Sequence, residues 1–185
     1  MCSQAASIMY EGCIESALDL KEKTLWIAFA GITTPWPDND NPPTPGPGET
    51  DVTEPLVYVK AAVKQLVKPV TQAAWEAIPA DQRVPLPLNG IYYAYVDDAD
   101  AYDEYARWIY VRGSLNPAAS GHPTGTFRMV RVLSGLTPAA GHEGAEWLLP
   151  ANVADRGKLR WGDNLSAVTV TTSNLFTVHI PIEFR

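Results

Sequence analysis

The chain has 185 residues, 46% of them apolar and 19% charged, with a net charge of −7. That is enough apolar chain for one buried core, so 1–185 is expected to fold as a single domain rather than stay disordered. The acidic balance argues against a nucleic-acid footprint, and the longest apolar stretch, Leu25 to Ala30, is far too short to span a bilayer.

The first residues, Met1-Cys2-Ser3-Gln4, carry no basic region and no long apolar run, so no secretory leader is expected. Cys2 and Cys13 match no metal spacing and are expected as reduced thiols. Ile8, Met9, Ile14, Leu18 and Leu20 predict a helix over Tyr10 to Glu22, with Gly12 interrupting the pattern. Thr24 to Ala30 is short, aromatic and closed by Gly31, which predicts a buried strand.

The run "TTPWPDNDNPPTPGPGET", Thr33 to Thr50, follows. Proline fixes φ and lacks the N–H that a ladder needs, so 33–50 is neither helix nor central sheet but a long loop. Leu56 to Lys60 and Gln65 to Lys68 read as two strands from their Val and Tyr content, although Glu54 to Val67 also fits a helix. Ala73 to Ile78 reads as a helical turn closed by Pro79, and Pro85, Pro87 and Gly90 mark a loop.

The second half reads as β. Strands are predicted at Ile91–Val96, Ala106–Gly113, Thr126–Leu133, Lys158–Trp161 and Ala167–Thr171. In the last strand Phe176, Val178, Ile180, Ile182 and Phe184 share one face by the two-residue period. Pro181 on the other face predicts an edge strand. The fold expected is mainly β: a β-sandwich-like domain with a minor N-terminal helix and a long Pro-rich loop.

Chemistry-bearing patterns are few. Asp97 to Glu104 is rich in carboxylates, but its spacing is wrong for a calcium loop, and a solvated loop is expected. His122, His142 and His179 lack zinc-binding spacing; His122 and His142 are expected as exposed loop residues, and His179 falls on the outward face of the last strand. Nucleophile elbows and phosphate loops are absent from the sequence, so no catalytic residue, metal or cofactor is expected and the protein reads as a non-enzyme. Tyr92, Tyr93, Tyr95, Tyr102, Tyr105, Trp108 and Tyr110 cluster; alternate members are expected in the core and some of the rest at an interface.

The apolar strand Leu25 to Phe29 leads into Pro35, Trp36, Pro37, Asp38, Asn39, Asn41, Pro42, Pro43 and Pro45. Further on come "ARWIYVRGSL" (Ala106 to Leu115), "GTFRMVRVLSGL" (Gly125 to Leu136), "LLPANVADRGKLRWGDN" (Leu148 to Asn164) and "TVHIPIEF" (Thr177 to Phe184). This ordered set resembles the baseplate wedge subunit family of T-even-type bacteriophages, the one called gene product eight. That subunit is longer and has a second domain inserted into the first, so the chain looks like a shortened version lacking the insertion.

The resemblance implies a non-enzymatic virion structural protein that joins subunits in a phage tail or baseplate. Its partners would be other phage structural proteins and copies of itself, with no nucleic acid and no membrane. It would be made in the host bacterial cytoplasm. A neck, collar or tail-tip position fits the same module. Two other classes stay open: a carbohydrate-binding module of a receptor-binding structure, which needs exposed coplanar aromatics, and a hydrolase whose site forms only in space.

Pro35 to Pro47 is then either an arm that packs on an adjacent subunit, anchored by Trp36, or a loop folded over its own sheet with Trp36 as a plug. The interface candidates are Trp36, Pro37, Asp38, Pro42 and Pro43 in this run. Asp97, Asp98 and Asp100 join them as an acidic contact to basic neighbours.

Overall fold

The computed structural model describes residues 3–46 and 48–185, with the backbone alone for 3–9. Cys2, Pro47 and the side chains of Ile8 and Met9 therefore lie outside the described residues. The chain forms two compact units. One comprises the chain up to Lys23, Val63–Arg112 and His179–Arg185; the other comprises Thr24–Ala62 and Gly113–Val178.

Eleven strands follow in chain order: β1 (Leu25–Ala30), β2 (Pro55–Lys60), β3 (Val63–Val70), β4 (Tyr92–Tyr95), β5 (Trp108–Leu115), β6 (Gly125–Ser134), β7 (Thr137–Pro138), β8 (Trp147–Leu148), β9 (Val153–Asp155), β10 (Lys158–Val170) and β11 (Phe176–Glu183). The helices are α1 (Ser3–Glu22), α2 (Gln72–Ala77) and α3 (Pro117–Ser120). The fold is mainly β with antiparallel sheets and an N-terminal helix, as the sequence predicts.

α1 starts earlier than Tyr10, and Gly12 does not interrupt it. A glycine inside a helix costs only about 1 kcal/mol, and the stripe of Ile14, Ala17 and Leu20 buries enough apolar surface to offset that. α2 is capped by Thr71, whose side chain accepts from the Ala74 N–H.

The five-stranded sheet has the order β10-β6-β1-β2-β8. β1 is buried on both faces because it lies at the centre, with Ile27 opposite Val59 on β2 and Val132 on β6. One face gathers Trp26, Ala28, Ala30, Val52, Tyr58, Leu133 and Leu148. Phe29, Phe127 and Phe176 pack edge to face, their centroids 5.0 to 6.2 Å apart. The two strands expected at Lys158–Trp161 and Ala167–Thr171 are one strand, β10. It carries register shifts against β6 at Leu159/Trp161 and at Asn164/Val168, and these bulges hide the alternation that a strand normally shows.

The four-stranded sheet has the order β11-β5-β3-β4. β11 is an edge strand, in keeping with Pro181, and buries Val178, Ile180 and Ile182. Val67, Val84, Leu88, Tyr93 and Tyr110 form a second core cluster. Tyr93 and Tyr110 are buried, Tyr92, Tyr95 and Trp108 are half-buried, and Tyr102 and Tyr105 are exposed, so part of the aromatic cluster is core.

His122 corrects the expectation of an exposed loop residue, whereas His179 stands on the last strand as the two-residue period predicts. His122 is 8% exposed, because its Nδ1 accepts from the Asn116 backbone N–H at 2.8 Å and its ring lies edge-on to Trp147. His179 lies on β11, half-buried, with Nδ1 2.7 Å from the Tyr110 hydroxyl. His142 is in a turn and half-buried.

Candidate functional site

β10 is an edge of the five-stranded sheet, and an edge strand offers unpaired backbone groups. The Pro-rich loop lies along it. The loop leaves at Gly31, whose φ of +72° turns the chain and whose N–H donates back to the carbonyls of Thr53 and Glu54. Glu54 ties the same base: its carboxylate accepts from the Thr33 hydroxyl and from the N–H groups of Thr33 and Thr34, the last two at 3.0 and 3.2 Å, and these bonds, the Thr33 hydroxyl's first, hold its carboxyl below the usual range. The two ends of the loop therefore meet.

Between them the segment is fastened to β10 by side chains, because its prolines cannot form a ladder. The Trp36 indole N–H donates to the Leu165 carbonyl at 2.8 Å, and the Ala167 N–H donates to Asn39 Oδ1 at 3.3 Å. Both backbone groups sit in the bulge between Asn164 and Val168, where the ladder with β6 lapses. The loop thus supplies partners that the bulge removed. Asn164 Nδ2 donates to the Pro43 carbonyl at 2.6 Å.

Arg131 on β6 organises the underside. Its side chain is 2% exposed, and Nη2 donates to Glu49 Oε2 at 2.7 Å and to Asn164 Oδ1 at 2.8 Å. Its Nη1 donates to the Asp163 carbonyl at 2.6 Å. Gly162, opposite Arg131 in register, makes room: a Cβ there would stand 2.6 Å from Arg131 Cδ. One buried cation thereby links β6, β10 and, through Glu49 and through Asn164 to Pro43, the second half of the loop. Past it, Arg156 Nη1 grips Asp51 at 2.8 and 3.0 Å and holds that carboxyl below its ordinary range, while Val52 is buried.

Of the sequence candidates, Trp36 and Pro42 are half-buried, whereas Pro37, Asp38 and Pro43 are exposed. The loop is folded over the chain's own sheet, but Trp36 is only partly covered and is a clasp rather than a fully buried plug. Arg131, Gly162, Asn164 and Glu49 were not singled out from the sequence, and Asn39 was named only among the residues of the family resemblance. The available signal was Arg131 itself, a charge inside the apolar run "MVRVL".

The other candidates lie in the other unit, where a groove of about 710 Å³ is lined by Gln65, Asp81, Tyr95, Asp97, Asp100 and Arg112, among others. Asp98 is not in its lining and pairs with Lys21, while Glu104 pairs with Lys68 at its rim. Tyr110 lies beside Tyr95, and burial pushes its hydroxyl up to about 12. Neither surface presents a nucleophile next to a base. Each presents exposed backbone turns and carboxylates on a firm sheet, which suits contact between proteins.

The family described as baseplate wedge 3 tail fiber network component matches residues 5–184. This chain belongs to that family. Virion protein 3 of Enterococcus phage phiEF24C is 34% identical over 155 residues, which cover 82% of this chain and 80% of that protein. The baseplate wedge 3 component is thus a structural protein of the phage tail and baseplate, working among other phage structural proteins. The expected phage baseplate relationship stands at this level.

Proposed function

We propose that this baseplate wedge component is a non-enzymatic joint that binds neighbouring virion proteins, and copies of itself, through loops held on a rigid β framework. Residues 1–185 act as one structural domain in this reading. The chain passes between the two units four times, so neither is a contiguous piece that could be separated. The likeness to gene product eight of T-even phages, in a shortened form, belongs to the same reading and rests on the quoted motifs. No nucleic acid, membrane or cofactor takes part, and synthesis is in the host bacterial cytoplasm.

The observation that carries the reading is the fastened loop. Its underside is tied by Trp36, Asn39, Pro43 and Glu49, yet Pro37, Asp38 and Pro43 remain exposed on top. A segment ordered before binding has little entropy left to lose when a neighbour docks. Proline adds to this by restricting the chain in every state.

The test is incorporation. Phage lacking the gene are complemented with wild type or with Pro37→Arg/Pro43→Arg, and purified tails are measured by mass spectrometry. Incorporation of the variant should fall while its melting temperature stays close to wild type. Wild-type levels of the variant in tails would rule out the upper face of the loop as an interface. Absence of the wild-type chain from tails would overturn the reading as a whole.

A further inference from the structure

The groove of about 710 Å³ beside the acidic turn holds carboxylates that carry no structural task among the described contacts. Its lining holds four carboxylates, Asp81, Asp97, Asp100 and Glu104, against two cations, Lys68 and Arg112. Glu104 and Lys68 neutralise each other. Asp81, Asp97 and Asp100 have no ion pair and no side-chain hydrogen bond among the described residues, and all three are exposed. Asp97 precedes a 3-10 turn without capping it. These carboxylates therefore do nothing for the fold that the contacts reveal.

The rest of the lining is built for more than solvent. The Tyr95 ring forms part of the wall and is held by Tyr110, 6.0 Å away between centroids. Gln65 is fixed by donating to the Val96 carbonyl at 2.9 Å. A concave site with a fixed amide and a net excess of carboxylates over cations is complementary to a guanidinium or ammonium group, which gains charge-assisted hydrogen bonds there. An anionic or purely apolar occupant would meet an excess of two negative charges, since Arg112 offsets one of the three remaining carboxylates.

We propose that this groove receives an arginine- or lysine-bearing segment of a neighbouring virion protein. The inference rests on the assembly reading above and names the chemistry of one partner. The excess of carboxylates decides against a second copy of this chain's own Pro-rich loop, which carries Asp38 and Asp40.

The probe is a fluorescein-labelled peptide of alternating glycine and arginine, with its citrulline counterpart as the neutral isostere, titrated by anisotropy into the full chain. The variant is Asp81→Asn/Asp97→Asn/Asp100→Asn. The control removes equal charge elsewhere, through Glu143→Gln/Glu146→Gln/Asp155→Asn. The groove variant should bind the arginine peptide about tenfold more weakly, the loss expected from a few screened ion pairs together, while the control stays near wild type. The citrulline peptide should bind the wild type no better than the groove variant binds arginine.

Equal loss in the control would show attraction to net charge alone and overturn the proposal. So would equal binding of the neutral peptide, or an unchanged groove variant. Incorporation of the same groove variant into tails separates the two levels. Full incorporation with wild-type infectivity removes the groove as an assembly contact and leaves the wedge reading standing, whereas absence of even the wild-type chain removes the wedge reading.

Discussion

Arg131 and Glu49 form an unequal pair. Arg131 is enclosed, whereas the Glu49 side chain is 38% exposed. Arg131→Ala leaves Asn164 and the Asp163 carbonyl without their donor, in a space that the guanidinium filled. Emptying a buried space and stranding two acceptors together costs about 3–5 kcal/mol, so a fall in melting temperature of roughly 10 °C is expected for a chain of this size. Glu49→Gln keeps an acceptor but takes the counter-charge from the enclosed guanidinium, and should cost about 1–2 kcal/mol because the site opens to solvent on the Glu49 side. Calorimetry on both variants checks the asymmetry, and equal losses would refute it. His122 makes the second residue-scale prediction. Burial lowers its pKa below the usual 6.5, and protonation at Nδ1 would abolish the bond from the Asn116 N–H. The unfolded chain therefore takes up this proton first as pH falls. Stability is full above the ordinary histidine pKa and is lost as pH drops from there through the depressed folded value. His179, lowered chiefly by burial and then by Arg112, acts in the same direction. Thermal melts across this window should show the decline, and His122→Gln should flatten part of it. A wild-type melting temperature that does not fall would sink the argument.

At the scale of elements, legibility tracks how local the cause is. β11 was readable because Val178, Ile180 and Ile182 alternate and Pro181 marks an edge, all within eight residues. The twin strands β2 and β3 were readable from Val and Tyr content, although the sequence also allowed a helix. β10 was read as two pieces, because Gly162, Asp163 and Asn164 look like a turn. Their tasks lie elsewhere in the chain: Gly162 clears space for Arg131, and Asn164 holds Pro43. The Pro-rich loop was legible as a loop and Trp36 as its anchor. What Trp36 anchors to was not, since Leu165 is 129 positions away. The same holds for the groove, where Gln65, Asp81 and Arg112 come from different elements and only Tyr95 and the carboxylates of the Asp97 to Glu104 run stood out in sequence. His122 was misread for a similar reason: flanking Gly121 and Pro123 signal a loop, and the loop is packed under Trp147.

At the scale of the molecule, charge separates the partners the chain could take. The chain carries −7 overall. The excess is shared, with 12 acidic and 8 basic residues in the unit containing the groove, and 9 and 6 in the unit containing the Pro-rich loop. Two copies approaching each other therefore meet like charge whichever units face, and a basic neighbour meets opposite charge. Salt acts on the two cases with opposite sign. Raising ionic strength from about 0.01 M to about 1 M shortens the screening length from about 30 Å to about 3 Å. Self-association, driven by apolar and shape contacts against repulsion, should strengthen over that range. Association with an arginine- or lysine-bearing virion partner should weaken, mainly through a slower on-rate. Sedimentation velocity of the chain alone, and interferometry against extracted baseplate proteins, give the two slopes. Slopes of the same sign would mean that the acidic surface does not choose between these partners, and contact chemistry other than charge would then have to set the order in which the wedge is built.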